Sequence, residues 1–582
     1  MPSRGKSSHP VQRGQTPIVA VAKVRRRPSA RILAALVSLG VGAVFAVYSR
    51  SLSFQFILDD HRFTSDPRIQ ESGHIWEYFT NYVWAQFVGG PVSFYRPIFV
   101  LWVRANFALI GPSSWGWHLL SIGKHVMVST LLGLLSWKLL RDWKPAFVAA
   151  ILFALHPAQT ESVSWVTVPD PLMTITLLSS LLLYLRYVLD ELPGTDASEK
   201  RSSKKSVSLA AKPSRLWLIG SAAAYFAALL TKETAIVFLG LIFVVAACLT
   251  PAKGVKNSAA TDRPPFAVQL RRAVRLSVPF VCVTVAYLLL RLNALGGKLT
   301  AATQHLPRRT VLLSWPAVLW FYFKAMLWPV KSYSFADPPQ VEQLSMRGFL
   351  LPLLAVTGTA AITAAVLFWI WRTAQQNLDR QQVTGVKVAL GIGTLLLVFP
   401  LLPPLDLNAL NPGDFLHGRY TYLPLAGLML LLATACRVLE NFKVVWLCLA
   451  GIVAIAFVPL TLAQEAQWRD DAAVFATGHR LAPHNQPVAK NLANTSVEAA
   501  LRLQDQGRCT EAIPMLDQVI KEYPEDWYAW AGRGVCYVQL NDLAKAEQSF
   551  HRAADISRNP QVVQKWQELR AHMGLPNSAP SN

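Results

Sequence analysis

The sequence predicts an all-α protein, in which a polytopic membrane bundle of about eleven helices precedes a C-terminal domain of helical repeats. Hydrophobic residues make up 52% of the 582 residues and charged residues only 15%, whereas a soluble domain carries about 25% charged residues. Apolar runs that approach membrane-spanning length recur between residues 32 and 462. From about residue 468 the chain becomes polar and repeats with a period of 34. These features exclude a disordered chain, a coiled coil and an ordinary soluble enzyme.

The chain begins with a basic tail, residues 1–30, which contains Lys and Arg but no Asp or Glu. The apolar run 32–48 follows directly. A basic segment before an apolar core also describes a cleavable signal peptide. The long tail and the lack of a clear small-x-small cleavage site favour an uncleaved anchor. Because cytoplasmic segments of membrane proteins concentrate Lys and Arg, we expect the tail to be cytoplasmic.

Ten further apolar runs extend the predicted membrane domain over residues 31–465. They lie at about 117–140, 145–156, 168–189, 215–231, 234–250, 274–291, 348–371, 387–404, 420–437 and 444–462. Two other stretches, 95–110 and 311–330, mix aromatic residues with Arg or Lys, which is typical of helices in the headgroup layer. With both stretches lying flat, the chain crosses eleven times and its C-terminus is outside.

This topology explains the basic charge of the chain, in which 56 Lys and Arg against 34 Asp and Glu leave a net charge of +22. The basic clusters in 138–144, 190–215 and 251–273 all fall on the cytoplasmic side, as the positive-inside rule requires. A basic patch can also bind nucleic acid. Orientation of the spans accounts for these charges, so we expect membrane lipids and no nucleic acid as partners.

The polar C-terminal region has the period of a tetratricopeptide repeat (TPR), since 493–526 and 527–560 are consecutive windows of 34 residues. Ala512 and Ala546 share one register. A generic helical hairpin is the alternative, but the shared register favours an α-solenoid. We expect TPR repeats over 468–565, including a half-repeat at 468–483, and a flexible tail over 566–582. The aromatic residues predicted to form the TPR groove are Trp530, Tyr537 and Phe550.

Several common sites are absent from the sequence. It has no CxxC or HExxH motif and no Cys/His zinc spacing, so we expect no metal site of that kind. It also lacks a P-loop and a GxGxxG motif, which argues against a nucleotide-driven pump. Among its six cysteines, Cys509 and Cys536 lie in the region expected outside. Whether they form a disulfide is left open.

The candidate chemistry lies where predicted spans meet the outer face, because ionisable groups near bilayer depth are costly and usually functional. Asp59 and Asp60 follow the first span, with His61 beside them. Two adjacent carboxylates can supply a general base and a partner that orients it or binds a metal. The alternative is a helix cap or a solvated turn, where Asp is also common.

Three more motifs fall on the same face. His156 and Glu161 follow the third span, and the alternative for His156 is a satisfied interface residue. Lys232 and Glu233 form a charge pair between two apolar runs. Lys232 could face a phosphate, and the alternative is a hairpin turn whose charges lie in water. Arg419 enters the tenth span beside Tyr420 and Tyr422, which suits a phosphate at a helix N-terminus, although aromatic-belt anchoring is the alternative.

Together, a carboxylate base and two cations at the outer leaflet suit transfer of a group from a lipid phosphate to an outside acceptor. The base would deprotonate the acceptor hydroxyl, and the cations would stabilise the departing lipid phosphate.

At this point the sequence resembles the TMTC-type transmembrane and TPR proteins and their bacterial relatives, members of the GT-C glycosyltransferase superfamily. The resemblance covers nearly the whole chain, from Phe54 through the repeats, and includes the order of the two domains. No single motif is specific, but their ordered set is. The motifs that carry it, in chain order, are 56–61 (FILDDH), 95–97 (YRP), 156–165 (HPAQTESVSW), 231–234 (TKET) and 419–424 (RYTYLP).

The resemblance implies a GT-C-like fold and a transferase that uses a polyprenyl-phosphate sugar as donor, with O-mannosyl transfer as the activity of eukaryotic members. It implies that Asp59 and Asp60 carry the base and that Lys232 and Arg419 lie near the donor phosphate. Tyr420 and Tyr422 are assigned to donor binding as well. The residues predicted to support the site are His61, Arg96, His156, Glu161 and His417.

The same resemblance implies a bacterial inner-membrane protein with a periplasmic TPR domain that recruits a protein or glycan acceptor. The sequence departs from the family pattern at two places. His417-Gly418 replaces a pair that more usually contains an acid, and Val168-Pro169-Asp170 replaces a stretch that more commonly contains Gly-Arg. Two other functions remain open: a non-catalytic TPR membrane scaffold, and a polymerase or ligase of lipid-linked oligosaccharide. The sugar, the acceptor and any divalent metal at the Asp pair are also open.

Overall fold

The computed structural model describes residues 28–83, 94–190, 215–249, 266–297, 305–331, 335–410 and 414–576. These residues form α-helices, short 3-10 turns and one π-helical turn, Met346–Leu350, with one isolated β-bridge between Ala336 and Leu416. Most of the predicted basic tail lies outside the described residues. Its last part leads into a helix at Ala30, whose N-cap Ser29 accepts a hydrogen bond from the Ile32 amide at 3.3 Å.

The membrane part contains seventeen of the helices in the described residues. They are α1 (Ala30–Tyr48), α2 (Asp59–Ser65), α3 (Pro67–Gln70), α4 (Ile75–Thr80), α5 (Pro97–Ile110), α6 (Ser114–Leu140), α7 (Trp143–Leu155), α8 (Thr160–Ser164), α9 (Asp170–Asp190), α10 (Arg215–Thr231), α11 (Phe238–Cys248), α12 (Phe266–Ala294), α13 (Arg308–Leu327), α14 (Leu351–Asn377), α15 (Arg380–Val398), α16 (Tyr422–Val438) and α17 (Lys443–Glu465).

The C-terminal part contains the other six. They are α18 (Asp471–Leu481), α19 (Gln486–Asp505), α20 (Cys509–Glu522), α21 (Trp527–Gln539), α22 (Leu543–Ser557) and α23 (Pro560–His572).

Length and composition identify a multi-pass membrane protein. In the described ranges, nine helical segments are long and apolar enough to cross a membrane, or ten if the bent pair Trp143–Leu155 and Pro157–Ser164 counts as one span. Shorter apolar helices are Pro97–Ile110, Arg215–Thr231 and Glu233–Cys248. The first of these has 14 residues and is about 21 Å long, so it does not bridge a hydrocarbon core of about 30 Å.

The helix α13 is also long and apolar enough to cross a membrane, although the sequence predicts that it lies flat. Its two ends contact the same connection, residues 399–421 between α15 and α16. Before its first turn, the Leu306 amide donates to Asn408 Oδ1 at 2.7 Å. Near its last turn, the rings of Tyr322 and Tyr420 lie 6.3 Å apart. The flat orientation of α13 stays a prediction.

The two predicted repeats correspond to the pairs α19–α20 and α21–α22, with α18 before them and α23 after them. Ala512 and Ala546 are fully buried at equivalent positions. Phe550 was predicted to line the groove, and this is wrong: it is 5% exposed and packs between the helices of its own repeat. A Cβ on Gly534 would lie 2.9 Å from the Phe550 ring, so the close approach requires glycine.

The predicted end of the repeat domain, residue 565, is also wrong. The helix α23 continues to His572. Its Trp566 is fully buried, stacks on His551 with centroids 4.6 Å apart, and donates to Glu547 Oε1 at 3.0 Å. This helix covers the apolar end of the last repeat, which is the role of a capping element in a solenoid.

Candidate active site

The candidate site is built around the connection that follows α1. Ile57 to Asp60 form a tight turn in which the Asp60 amide donates to the Ile57 carbonyl at 2.9 Å. Leu58 has φ 51° and ψ −121°, values of the first central residue of a type II′ turn, where glycine is usual. A non-glycine residue in such a region costs about 1–3 kcal/mol and persists only where its surroundings hold it. The turn therefore depends on its neighbours.

Asp60 is the inward-facing member of the acidic pair. Its carboxylate is fully buried and accepts three hydrogen bonds: Oδ1 from the Thr167 amide at 3.1 Å and the Thr167 hydroxyl at 2.6 Å, and Oδ2 from the Ile57 amide at 3.1 Å. Burial raises the pKa of Asp60 to about 7 although these donors oppose the shift. Asp60 therefore ties the acidic turn to the segment that precedes α9.

Asp59 is the partly exposed member of the pair, in the first turn of α2. Among the described residues, no hydrogen bond or ion pair engages its carboxylate. Burial raises the pKa of Asp59, while the nearby charges of Arg419, Arg62 and His417 act to lower it. A partly exposed carboxylate that faces cations and has no fixed partner is free to accept a proton.

A second cluster surrounds Glu161, which is fully buried in α8. Its Oε2 accepts a hydrogen bond from the Arg419 amide at 3.2 Å, and its Oε1 lies 3.8 Å from Arg419 Nε. His417 Nδ1 lies 3.0 Å from Glu161 Oε1, and His417 Nε2 lies 3.1 Å from Asp414 Oδ1. This cluster joins two segments more than 250 residues apart.

The charge state of His417 follows from its two carboxylate neighbours. Burial and Arg419 act to lower the pKa of His417, but Asp414 and Glu161 outweigh them and raise it. Burial would raise the pKa of Asp414, yet His417 holds it at about 2. His417, one of the positions that depart from the family pattern, therefore lies between two acids that favour the protonated form of its ring.

Arg419 is the most accessible cation of the cluster, with 21% of its side chain exposed. Its guanidinium carbon lies 4.6 Å above the centre of the Trp165 ring, a cation–π contact that fixes the plane of the guanidinium. Because the acidic partner Glu161 sits on one side only, donors of the guanidinium remain for an anionic ligand.

Lys232 lies close to this cluster but in a tight ion pair. Its ammonium donates to both Asp170 oxygens at 2.6 and 2.7 Å and lies 4.8 Å from the centre of the Tyr420 ring. Only 3% of its side chain is exposed. Arg96 likewise forms a two-pronged pair with Glu233, at 3.1 and 2.6 Å. Each of these two cations is therefore neutralised by a carboxylate, Lys232 by Asp170 and Arg96 by Glu233.

Two of the predicted site residues form their hydrogen bonds with residues outside the cluster. Tyr422, assigned to donor binding, is fully buried in the bundle, where its hydroxyl lies 2.9 Å from His125 Nδ1; that assignment is wrong in this arrangement. His156 is also buried, with Nε2 3.0 Å from the Met326 carbonyl and Nδ1 accepting from the Ala158 amide at 3.2 Å. Its bonds are satisfied, so its support of the site is structural.

His61 faces away from the cluster and is 56% exposed. Its Nε2 lies 2.8 Å from Asp471 Oδ2, at the start of the C-terminal domain. Sequence reasoning missed Asp471 and Thr167, because both contact the acidic turn from distant parts of the chain. It also missed Lys124, a buried lysine whose ammonium lies 3.9 Å from the centre of the Trp102 ring. A lone lysine inside a predicted span was an available signal.

No cluster of three or more His, Cys, Asp and Glu side chains with metal-binding geometry occurs in the part of the chain that the structure describes. The arrangement instead brings together a partly exposed carboxylate, a histidine between two acids and a partly exposed guanidinium.

Fold and site thus define a multi-pass helical membrane protein with an acid–cation cluster beneath a C-terminal TPR domain. The sequence profile of the tetratricopeptide repeat matches residues 497–560, which confirms the predicted repeat type.

The chain is homologous to TMTC proteins over most of its length, which confirms the resemblance. It is 26% identical to human protein O-mannosyl-transferase TMTC1 over 530 residues, which cover 86% of this chain and 56% of that protein. It is 23% identical to human TMTC3 over 552 residues, covering 90% and 55%. A stretch of 163 residues is 33% identical to mouse TMTC2 and covers 27% and 19%. The chain therefore spans little more than half the length of TMTC1 and TMTC3.

Among solved structures, the archaeal oligosaccharyltransferase AglB from Archaeoglobus fulgidus, in complex with an inhibitory peptide and a dolichol-phosphate, aligns with a TM-score of 0.39 and 14% identity. The alignment covers 79% of this chain and 59% of that one.

Proposed function

We propose that the protein is a membrane glycosyltransferase that moves a sugar, mannose in the first instance, from a polyprenyl phosphate to a hydroxyl of a protein or glycan. The observation that carries the proposal is the placement of Asp59, a partly exposed carboxylate without a fixed partner, close to Arg419 and His417. Homology to proteins named O-mannosyl-transferases over about 90% of the chain supports the same activity.

In this proposal Asp59 is the general base. It takes the proton from the acceptor hydroxyl as that oxygen bonds to C1 of the sugar and the bond between C1 and the phosphate oxygen breaks. The raised pKa of Asp59 suits this role, because a more basic carboxylate accepts a proton more readily near neutral pH. Asp60 keeps Asp59 in place by holding the turn from inside.

Arg419 stabilises the polyprenyl phosphate as it departs. A guanidinium can give two parallel hydrogen bonds to phosphate oxygens, and the exposed part of this side chain is available to do so. Glu161 and the Trp165 ring hold Arg419 in position. Lys232 acts in a different way from that expected from sequence: its ammonium orients Asp170 and Tyr420 beside the donor site.

The proposed topology places the N-terminus in the cytoplasm of a bacterium and the site and TPR domain in the periplasm. With α13 and α5 lying flat, eight of the nine long candidate spans, the bent α7 segment and the two shorter apolar segments α10 and Glu233–Cys248 provide the eleven crossings. A disulfide between Cys509 and Cys536 supports the periplasmic location, because disulfides persist in oxidising compartments.

An impermeant maleimide tests this orientation. In a chain whose free cysteines are replaced, Glu525→Cys should be labelled in intact spheroplasts, since this TPR side chain is 74% exposed. Arg141→Cys, in the exposed turn between α6 and α7, should be labelled only after permeabilisation. Labelling of Arg141→Cys in intact spheroplasts would invert the topology.

We assign the TPR domain to recruiting the acceptor, since helical repeats present extended surfaces to partners. Trp530 and Tyr537 are two partly exposed aromatic residues of this domain, and Arg533 lies over both rings, at 4.3 and 6.0 Å.

The activity is tested in proteoliposomes with a polyprenyl-phosphate mannose and a Ser/Thr-containing peptide, with and without EDTA. Asp59→Asn should lower the transfer rate at least about 100-fold, the usual contribution of a general base. Glu77→Gln is the matched control, because it removes a partly exposed carboxylate from the same connection, where it pairs with His74. Full transfer by Asp59→Asn contradicts the base assignment.

The scaffold function is favoured if the wild-type protein transfers no sugar to any acceptor but still binds a partner through residues 468–582. Loss of transfer in EDTA and its return with Mg²⁺ would add a divalent cation to the donor site.

A further inference from the structure

The start of the C-terminal domain contacts the candidate site. This segment, residues 466–471, is called the neck. One of its residues, Asp471, is the first residue of α18. Its Oδ1 accepts a hydrogen bond from the Leu58 amide at 2.9 Å, and its Oδ2 lies 2.8 Å from His61 Nε2. The residues flanking the acidic pair are therefore both held by one carboxylate, more than 400 positions away in sequence.

This contact acts on the strained part of the turn. Leu58, with φ 51°, is the residue whose amide Asp471 engages. A bond between the two backbones lies nearby, because the Gln55 amide donates to the Arg469 carbonyl at 2.9 Å. Since an unfavourable backbone conformation persists only where neighbours hold it, these bonds explain why the turn keeps this shape without glycine.

The neck reaches the other half of the site through aromatic rings. Trp468 is 1% exposed and stacks between Trp165, at 6.2 Å, and Phe335, at 5.1 Å. Trp165 is the ring over which the Arg419 guanidinium lies. The same short segment therefore contacts the support of the proposed base and the support of the proposed phosphate ligand.

We propose that Asp471 is a positioning residue for transfer: it holds the turn from Leu58 to His61 so that Asp59 points into the site, and it makes the TPR neck part of the active site. This inference rests on the proposed function. It differs from a recruiting role, because a domain that only captures acceptor could be detached without changing the site.

The test compares three variants of the full-length protein in nanodiscs. Asp471→Ala removes both contacts, whereas Asp471→Asn keeps an oxygen that can accept from the Leu58 amide. Asp470→Ala is the matched control, because the neighbouring Asp470 caps the same helix through the Ala473 amide at 2.8 Å and does not contact the turn. Thermal unfolding of Asp470→Ala shows how much loss comes from a weakened α18 alone.

The first readout is hydrogen exchange of the Leu58 amide, which does not depend on catalysis. Asp471→Ala should speed this exchange at least about tenfold, because the amide loses its acceptor. Asp471→Asn should give a smaller change and Asp470→Ala none. Equal exchange in Asp471→Ala and wild type overturns the proposal.

The second readout is transfer to a short peptide. Asp471→Ala should lower kcat about 100-fold, the cost of a misplaced catalytic group, and leave KM for the donor within about twofold, because Arg419 is untouched. Asp471→Asn should recover most of kcat. Faster exchange with unchanged kcat overturns the positioning role and leaves the transferase proposal intact. An inactive wild type contradicts the proposed function, while the exchange result still decides whether Asp471 holds the turn.

Discussion

The bond between Cys509 and Cys536 gives a prediction about both stability and cellular location. The two cysteines are buried and joined, with Cα atoms 5.1 Å apart and a sequence separation of 27 residues. This Cα separation lies within the usual range for disulfides. The cross-link fastens the start of α20 to α21 and so connects the first repeat to the second. We expect its loss to loosen this junction first.

The size of the effect follows from loop closure. Closing a loop of 27 residues removes about 12 cal/mol/K of entropy from the unfolded chain, which is about 3.5 kcal/mol at 25 °C. For a domain of roughly 100 residues, 1 kcal/mol shifts Tm by about 4–8 °C. Reduction of the bond should therefore lower the Tm of the TPR domain by about 15–25 °C.

The assay is thermal unfolding of the purified full-length protein with and without reducing agent, followed by hydrogen exchange in peptides from 509–536. Cys536→Ala should reproduce the effect of reduction. Cys448→Ala, which removes an exposed free cysteine of α17, should not. Without reduction, maleimide should label four of the six cysteines in denatured protein. Six labelled cysteines, or a shift below about 3 °C, would refute both the bond and the periplasmic argument drawn from it.

The remaining predictions concern the site and the repeat core. Arg419→Met should lower the transfer rate about 100- to 1,000-fold, as loss of one preorganised donor to a developing anion does. Arg419→Lys should recover part of the rate. Equal rates for Arg419→Met and wild type would exclude a contact between Arg419 and the phosphate. Asp59 must be ionised to act as base and its pKa is raised, so the rate should rise with pH through that pKa. Arg62→Gln removes a charge that lowers this pKa, so the acidic limb of the pH–rate profile should move to higher pH; an unmoved limb would assign it to another group. Asp60→Ala leaves the Thr167 and Ile57 donors unpaired in a buried site and should cost about 2–5 kcal/mol in denaturant unfolding. Gly534→Val should destabilise the second repeat by about 1–3 kcal/mol because its side chain meets the Phe550 ring, whereas a neutral effect would mean that the two helices can separate.

Much of the fold could be predicted from composition and period. A membrane span is recognisable because hydrocarbon selects a long apolar run, and the first helix lies within two residues of its predicted start. The 34-residue period placed Ala512 and Ala546 in equivalent buried positions. The boundary at 565 failed because α23 is amphipathic and polar on average, so its buried Trp566 gave a weak signal beside a polar tail.

The candidate site was predictable as a set of motifs but not as an arrangement. Asp59 and Asp60 are chemically identical in the sequence, yet adjacent residues of a helix point about 100° apart. Asp60 consequently turns inward to Thr167, while Asp59 stays partly exposed. Lys232 carried the same charge as Arg419 in the sequence, and only packing showed that Asp170 neutralises it.

The sequence alone determined that this chain is a multi-pass helical membrane protein with TPR repeats. It also identified the acidic pair, Asp59 and Asp60, as part of the candidate site. These features follow from local composition, spacing and period, which can be read within a few tens of residues. The tertiary structure decided which carboxylate is free, which cation is available, and that Asp471 holds the acidic turn. Those outcomes depend on contacts between segments hundreds of residues apart, where burial and charge pairing are set by the packed helices.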